Sequence, residues 1–426
     1  MSSAVWRAGA STRVIEVPTG TPLDGYGARQ GTSTGTLRPL EVNCLYLQAE
    51  EGSALLVSLD LLSVDGAWVD ALRERLQQQL GVRQEAVFVA ASHTHSGPTG
   101  FRRPEFSPVE GSDGGARLRE AVASLVLEAA SEAAAGATEA SLAVSRTAVQ
   151  GVATNRQDPS GPADSQLTTL AVRREDGRWL ALVWHFACHP TVLDAKNLLV
   201  SPDLPGEVRH LLRTRFGPSL PVLYLNGAAA DVSTRFTRQA SGLQEAQRLA
   251  RPLADAVAVG GRPLDAARPT GRLAQCRLPV AATTPEEVAE GLVAQAELAL
   301  AAARSGDSPP AIVRLREVEL MGARKRLARS SRTKPESLPG QVQVLSLGDL
   351  VLVGFPGELY AREGFRAAEA SHHAVTLVVG YAGDYIGYLP PADDKRGYER
   401  DSAWVATGAV EQLLDLAAHL LKEVKQ

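Results

Sequence analysis

SALLVSLDLLSVDGAWVDALRERLQQQLGVRQEAVFVAA, residues 53–91, is the stretch that indicates the fold class. Its first part, Ser53–Leu59, is a short apolar run of the kind that forms a buried strand. Asp65–Leu80 carries apolar residues at helical spacing and is followed by Gly81, a common helix stop. Ala86–Ala91 is a second apolar run. A strand, a helix and a strand in this order predict two parallel strands joined by a crossover helix.

The same alternation recurs along the chain. Helices are predicted over Ala116–Ala135, Pro205–Arg215, from the capping box Thr284–Glu287 to about Arg304, and Ala409–Val424. Further strands are predicted over Leu180–Ala187, Pro221–Leu225, Val344–Phe355 and Ala374–Val379. We therefore expect an α/β fold with a mixed, partly parallel β-sheet core flanked by helices.

Composition excludes several classes of protein. Of 426 residues, 44% are hydrophobic and 22% are charged, which is typical of a soluble globular protein and not of a disordered chain. The net charge of −4 lacks the basic footprint of a nucleic-acid binder. Three widely spaced cysteines do not suggest a disulfide framework. The sequence has no signal-peptide core at its start and no run of ~18 apolar residues, so we predict a cytoplasmic protein without an integral membrane segment.

Polar motifs of the catalytic type follow five of the predicted strands. In parallel α/β sheets, ligands bind just beyond the carboxyl ends of the strands, so we expect these motifs to meet at one site. They are Ser92–Pro98 (SHTHSGP), Cys188–Thr191 (CHPT), Asn226–Ser233 (NGAAADVS), Pro356–Glu358 (PGE) and Asp384–Tyr388 (DYIGY).

The histidines of these motifs indicate a metal centre. His93, His95 and His189 offer neutral imidazole ligands, and Glu358 offers a carboxylate at the end of an apolar strand. This combination suits Zn²⁺ with one position left open for water. The alternatives are that each histidine is a hydrogen-bonded structural residue, or that Glu358 serves as the negative charge at a helix N-terminus.

Other reactive side chains at the strand ends have simpler interpretations. His185 lies within a strand and is interpreted as a packed residue, and Cys188 is interpreted as a small buried core residue. Ser233 follows a Gly/Ala-rich turn that is somewhat like a nucleophile elbow, but the G-x-S-x-G pattern is absent.

Together these motifs resemble the neutral/alkaline, non-lysosomal ceramidase family. That family hydrolyses the amide bond of ceramide with one zinc ion. The resemblance runs from about residue 13 to the C-terminus and corresponds to the family's catalytic domain, without its C-terminal immunoglobulin-like domain. The matching segments are Ser92–Pro98, Phe186–Thr191, Asn226–Ser233, Pro356–Glu358 and Tyr385–Tyr388.

The resemblance implies a role for each matching residue. Its zinc ligands would be His93, His189, Glu358 and Tyr388, and either Tyr388 or a backbone N–H would steady the oxyanion. His95 would act as the general acid and base beside the metal.

The resemblance also implies a set of residues at the substrate. Arg156 would lie near it, Ser233 would act as a nucleophile or hold its polar end, and Asn226 and Tyr398 would complete the pocket. We therefore expect residues 1–426 to form a single catalytic domain, because ligands so far apart in sequence must converge. A looser helical and loop insertion is expected at about 262–340.

Two cations depart from the family pattern. The family reads Asp-x-Ser-Pro-Asn where this chain has Asp231–Arg235, and Arg238 follows. Guanidinium groups favour carboxylate or phosphate partners, so we expect an N-acyl substrate smaller or more acidic than ceramide. The alternative is that both arginines are surface charges.

Three rival interpretations remain open at this point. The His-x-His motif also opens the (β/α)₈ amidohydrolase pattern, which needs eight regular βα units. The chain could instead be a non-catalytic binding protein that retains the fold. It could also be a biosynthetic acyl-transfer or cyclisation enzyme that uses the same zinc site on a small or lipid-like N-acyl compound.

Overall fold

The computed structural model describes residues 5–103, 106, 113–331, 335–394 and 397–424. The helices of these ranges are α1 (Gly66–Leu80), α2 (Asp113–Ala135), α3 (Leu204–Phe216), α4 (Leu243–Ala256), α5 (Glu286–Ser305), α6 (Pro310–Ser330), α7 (Ala361–Glu369), α8 (Tyr398–Ser402) and α9 (Ala409–Glu423). The strands are β1 (Trp6–Ile15), β2 (Gly35–Thr36), β3 (Leu40–Ala49), β4 (Gly52–Leu59), β5 (Val87–Ala91), β6 (Thr138–Ala148), β7 (Thr154–Asn155), β8 (Gln166–Arg174), β9 (Trp179–Phe186), β10 (Leu199–Val200), β11 (Val222–Asn226), β12 (Val232–Ser233), β13 (Arg262–Pro263), β14 (Thr270–Pro279), β15 (Ser337–Leu347), β16 (Leu350–Gly354), β17 (Glu358–Leu359), β18 (Val375–Val379) and β19 (Tyr388–Leu389).

The larger sheet has the strand order β11-β9-β8-β6-β1-β3-β4-β5, with β13 paired to β6. Its two ends are parallel pairs, β11 with β9 and β4 with β5, and the strands between them are antiparallel. The predicted unit of two parallel strands and a crossover helix is therefore confirmed as β4–α1–β5. Helix α1 begins after Asp65, whose side chain accepts a hydrogen bond from Ala67 N, and ends at Gly81 with φ 70°.

The two ends of this sheet curl toward each other. Ser58 of β4 donates its hydroxyl to the carbonyl of Tyr224 on β11 (2.7 Å) and accepts from the Tyr224 amide (3.2 Å). The carboxyl ends of β5 and β11 are therefore close in space, although these strands stand at opposite ends of the strand order. A mixed sheet of this kind is not an all-parallel (β/α)₈ barrel, which excludes that rival.

The smaller sheet has the order β14-β15-β16-β18, with β16 and β18 parallel. The prediction of one strand over Val344–Phe355 is wrong, because Gly348, with φ 67°, allows a tight turn that splits this segment between β15 and β16. The capping box is also wrong: α5 begins after Pro285, and no side chain caps its first turn.

The expected insertion at about 262–340 contains both regular strand and helix. Strand β14 pairs with β15 along its whole length, from Thr270 opposite Ser346 to Pro279 opposite Ser337. Helices α5 and α6 follow β14 and pack against each other as a hairpin. None of the helices in the described ranges combines the length and the apolar character needed to cross a membrane.

A short segment after β18 joins the two sheets. Gly380 N donates to the carbonyl of Asn226 (3.0 Å), and Gly383 N donates to the carbonyl of Val89 (2.8 Å). Between them, the carbonyl of Tyr381 accepts from Ala91 N (3.1 Å). These bonds tie the segment to β11 on one side and to β5 on the other. The carboxyl ends of β5, β9, β11, β16 and β18 therefore meet at one place, as the strand-end motifs predict.

Gly357 makes the closest backbone approach in this region. A Cβ at this position would lie 2.4 Å from the carbonyl oxygen of Gly387. That carbonyl accepts from Glu358 N (2.9 Å), and the next residues pair in parallel as β17 and β19, with Glu358 opposite Tyr388. The absence of a side chain at Gly357 thus allows two candidate ligands to lie side by side.

We predict that Gly357→Ala lowers the free energy of unfolding by about 1–3 kcal/mol, because the added methyl overlaps the carbonyl of Gly387. Urea denaturation measures this change. Gly291→Ala is the matched control, since nothing lies within 4 Å of a Cβ there, and α5 gains a better helix former. An unchanged unfolding midpoint for Gly357→Ala contradicts the prediction.

Candidate metal centre

His93 presents one ring nitrogen to the centre. It follows β5, and its backbone is in the left-handed region with φ 68°. Its Nδ1 lies 2.8 Å from the carbonyl oxygen of Leu62. A carbonyl can only accept, so Nδ1 donates, and in the neutral ring Nε2 carries a free lone pair.

His189 is held in the same way from the other end of the larger sheet. It follows β9, and its Nδ1 lies 2.6 Å from the carbonyl oxygen of Ala229. Its Nε2 faces the Nε2 of His93 at 3.2 Å. Two lone pairs therefore point at each other in a wholly buried position.

Glu358 supplies a third acceptor. Its Oε1 accepts a hydrogen bond from the Tyr385 hydroxyl (2.6 Å). Its Oε2 lies 3.2 Å from His189 Nε2 and 3.6 Å from His93 Nε2. Ligand atoms arranged tetrahedrally around Zn²⁺ at ordinary bond lengths stand about 3.3 Å apart. The three acceptors thus already have the mutual spacing of ligands around one ion.

The electrostatics favour a bound cation here. Burial alone raises the pKa of Glu358, but His93 and His189 hold it well below its usual range. Burial, together with the charge of Arg156, lowers the pKa of His189 to about 4. A carboxylate that stays ionised beside a neutral imidazole is a ligand set that attracts a metal ion.

His95 stands between this cluster and the solvent. One ring nitrogen from each of His93, His95 and His189 lies within 4.8 Å of the others, so this buried group of three can hold a metal ion. Both ring nitrogens of His95 lack a hydrogen-bond partner. The ring of Tyr26 meets the His95 ring edge-on at 4.7 Å, and a Cβ on Gly25 would overlap it at 2.5 Å. Packing therefore fixes this ring while its nitrogens stay free.

A buried ion pair adjoins the cluster. Arg156 donates Nη2 to the hydroxyl of Tyr388 (2.9 Å) and pairs through Nε with Glu399 (2.7 Å). Glu399 also accepts from Gln157 Nε2 (2.7 Å). Burial, with Glu358 and Glu399 nearby, raises the pKa of Tyr388 well above its usual range, although Arg156 opposes this effect. The guanidinium is thus aimed at the hydroxyl that the resemblance assigns to the metal.

Ser233 and Tyr398 lie at the same site. Ser233 pairs with Thr154 between β12 and β7, and its Oγ accepts from Arg235 N (3.2 Å). Within the described ranges, no hydrogen bond links this hydroxyl to a histidine, so the arrangement lacks the base of a serine nucleophile. The ring of Tyr398 meets Tyr388 edge-on at 5.9 Å.

Asn226 lies apart from the other candidates. Its side-chain Nδ2 donates to the carbonyls of Ser92 and Cys188 (3.2 Å each), and its Oδ1 accepts from Cys188 N. It is completely buried, and these bonds join the ends of β5, β9 and β11. This geometry favours a structural role over the expected contact with substrate.

Two tyrosines were not expected from the sequence. Tyr385 holds the metal-facing carboxylate, and Tyr381 stacks on His93 with ring centroids 4.0 Å apart and an angle of 20°. Tyr381 also has a positive φ, 56°. Both lie in a run with four aromatic positions between 381 and 398, in a chain that is only 5% aromatic, and this enrichment is the signal that could have found them.

A cavity of about 330 Å³ is lined by His95 and Tyr388 beside the cluster. Helix α6 forms part of its wall through Arg314, Glu317, Val318 and Met321. The other lining residues include most of the substrate candidates, namely His95, Arg156, Ser233, Arg235, Tyr388 and Tyr398. A small organic substrate placed here has a proton acceptor, hydrogen-bond donors and a metal site within one enclosure.

The chain is similar to known proteins in sequence over part of its length and in fold. Residues 16–219 match the family model described as neutral/alkaline non-lysosomal ceramidase, N-terminal. The fold is similar to a ceramidase complexed with C2, with TM-score 0.76 and 17% identity over 99% of this chain and 76% of the other. It is also similar to neutral ceramidase from Pseudomonas aeruginosa, with TM-score 0.76 and 20% identity over 100% of this chain and 76% of the other. The predicted resemblance and the mixed α/β class are both confirmed.

Tyr385→Phe tests whether the hydrogen bond from the Tyr385 hydroxyl to Glu358 Oε1 matters for metal affinity. Removing this hydroxyl leaves Oε1 without its donor and frees the carboxylate to rotate, so we predict a loss of metal affinity of about 10- to 100-fold. Competition with a chelating dye measures it. Tyr46→Phe on β3 is the control and should bind metal like the wild type. Equal affinity in both variants contradicts the prediction.

Proposed function

Because the chain resembles the neutral ceramidase family in fold and, over residues 16–219, in sequence, we propose that it is a zinc-dependent hydrolase. Its reaction is cleavage of the amide bond of an N-acyl substrate. The observation that carries this proposal is the convergence of His93 Nε2, His189 Nε2 and Glu358 Oε2 at 3.2–3.6 Å.

The ligand set proposed for Zn²⁺ is His93, His189, Glu358 and Tyr388. The buried Glu358 Oε2 makes no hydrogen bond to the described residues, so this donor atom fits a metal. When bound, the ion acts as a Lewis acid and lowers the pKa of a coordinated water. Tyr388 qualifies because it pairs with Glu358 across β17 and β19.

His95 is the proposed proton carrier. Burial, followed by the neighbouring His93 and His189, lowers its pKa well below the usual value, so the ring is neutral at neutral pH. Its two free nitrogens and its place in the cavity lining support this role. In the proposed cycle, His95 takes the proton of the attacking water and returns it to the leaving amine.

Arg156, Tyr388 and Ser233 are the proposed substrate contacts. The Arg156 guanidinium and the Tyr388 hydroxyl lie together and can orient the amide carbonyl as negative charge develops on it. Ser233 is proposed as a hydrogen-bonding group for the polar end of the substrate and not as a covalent nucleophile. Tyr398 supplies an aromatic wall beside Tyr388.

The substrate is proposed to be smaller or more acidic than ceramide. A cavity of about 330 Å³ is at the lower end of ligand sites, which favours a compound with less bulk than a two-chain lipid. The chain is also proposed to act as a single catalytic unit, since His93 and His189 follow strands of the larger sheet and Glu358 follows β16 of the smaller one, at the start of β17.

His95→Gln tests the proposal. We predict that kcat for a short fluorogenic N-acyl amide falls by about a hundredfold to ten-thousandfold, because the proton carrier is lost, while zinc content stays at that of the wild type. Stopped-time fluorescence and metal analysis measure the two quantities. His210→Gln, at an exposed position of α3, is the matched control. Loss of zinc in His95→Gln would assign His95 to the metal and contradict its proposed role.

A further inference from the structure

The cavity lining carries an excess of positive charge. It has five cationic side chains against two acidic ones. The cations are Arg156, Lys196, Arg235, Arg238 and Arg314, and the acids are Asp194 and Glu317. An enclosed surface with such an imbalance attracts anions.

Some of this charge is already neutralised. Arg156 is paired with Glu399 at 2.7 Å, and Arg314 is paired with Glu317 at 3.1 Å. Lys196 is exposed, so its charge is well solvated. The excess positive charge of the cavity therefore comes from Arg235 and Arg238.

Arg235 and Arg238 are half-buried, and each guanidinium donates to a backbone carbonyl. Arg235 Nη1 donates to the carbonyl of Arg156 (2.6 Å), and Arg238 Nη1 donates to the carbonyl of Thr191 (2.7 Å). Among the residues that the structure describes, neither guanidinium forms an ion pair with a carboxylate. Each retains N–H donors for which the described residues supply no acceptor.

The positive charges of Arg235 and its neighbouring arginines repel one another when no anion is bound. Burial, and then repulsion from Arg156, lowers the pKa of Arg235 to about 10, and Glu399 only partly opposes this effect. Arg314 and Arg238 add smaller repulsions. Arg235 is still protonated at neutral pH. A bound oxyanion would relieve the repulsion and accept the unused N–H donors.

Both arginines are anchored to the proposed catalytic loops. The Arg235 amide donates to Ser233 Oγ, and its guanidinium holds the backbone of Arg156. Arg238 holds Thr191, two residues after His189. An anion bound between the two forks would therefore lie next to the proposed amide-cleaving site.

We infer that Arg235 and Arg238 form a subsite for an oxyanion carried by the substrate, either a carboxylate or a phosphate. Planar guanidinium forks match both groups through paired N–H···O bonds. This inference rests on the proposed function only in assigning the anion to an N-acyl amide. Arg235 and Arg238 would thus select a substrate that carries an acidic group. They would distinguish this cavity from one that binds an uncharged lipid amide.

The test compares four amides of similar length as ligands of the zinc-loaded His95→Gln protein, in which the predicted loss of kcat keeps turnover slow during the measurement. They are N-hexanoylglycine, O-phospho-N-hexanoylethanolamine, an ethanolamide with a carboxylate at the end of its acyl chain, and the neutral N-hexanoylethanolamine. Calorimetry should show at least one anionic amide binding about tenfold to a hundredfold more tightly than the neutral one. Comparing the three anionic ligands distinguishes carboxylate from phosphate and the amine side from the acyl side.

Arginine variants of the His95→Gln protein test which residues cause the preference for an anionic amide. Arg235→Gln and Arg238→Gln should each remove most of it and leave the affinity for the neutral amide within about threefold of the parent. Arg248→Gln on α4, outside the cavity and paired with Glu245, should keep it. No preference for any anionic amide, or a preference that survives both cavity variants, overturns the subsite. If the preference depends on both arginines but the wild-type enzyme hydrolyses none of the four amides, the subsite stands and the proposed function fails.

Discussion

The structure depends on one constraint: three proton acceptors, His93 Nε2, His189 Nε2 and Glu358 Oε2, face one another. The carbonyl partners of His93 and His189 fix both Nδ1 atoms as donors, so both Nε2 atoms are acceptors in the neutral rings. Glu358 Oε2 faces them, and Tyr385 occupies the other carboxylate oxygen. Two neutral imidazole nitrogens and an ionised carboxylate oxygen this close in a buried position favour a bound cation, and each supporting contact limits how far these acceptors can move apart.

The fold stores strain to hold this arrangement. His93 and Tyr381 both have positive φ, a conformation that costs a residue other than glycine about 1–3 kcal/mol, and their rings stack on each other. Hydrogen bonds from Gly380 to β11 and from Gly383 to β5 keep the strained segment between the two ends of the larger sheet. Three features therefore hold the candidate metal ligands together. They are the curl of that sheet, the joining segment and the close approach of Gly357 to Gly387.

The sequence predicted the elements whose pattern lies within a short segment of the chain. Runs such as Ala86–Ala91 are apolar throughout because parallel strands are buried on both faces, and the polar motifs that follow them could be aligned at one edge. Antiparallel strands such as β1 (Trp6–Ile15) and β6 (Thr138–Ala148) mix buried and more exposed residues, so neither contains a continuous apolar run, and the sequence did not predict them. The contact between β4 and β11 that closes the sheet joins residues far apart in sequence, and so does the hydrogen bond from Tyr385 to Glu358. The spacing of residues along the sequence does not predict such contacts. The expectation that Arg235 and Arg238 flank the pocket did follow from their place after a strand end.

Metal analysis of the purified protein tests the central claim most directly. The account predicts about one zinc ion per chain in the wild type, and its loss in both His93→Ala and Glu358→Gln, with folded circular dichroism spectra in each. Glu363→Gln removes a buried carboxylate of α7 that pairs with Arg362 outside the centre, and it should retain the metal. A wild type without stoichiometric metal, or a Glu358→Gln protein that binds zinc as tightly as the wild type, would contradict the account.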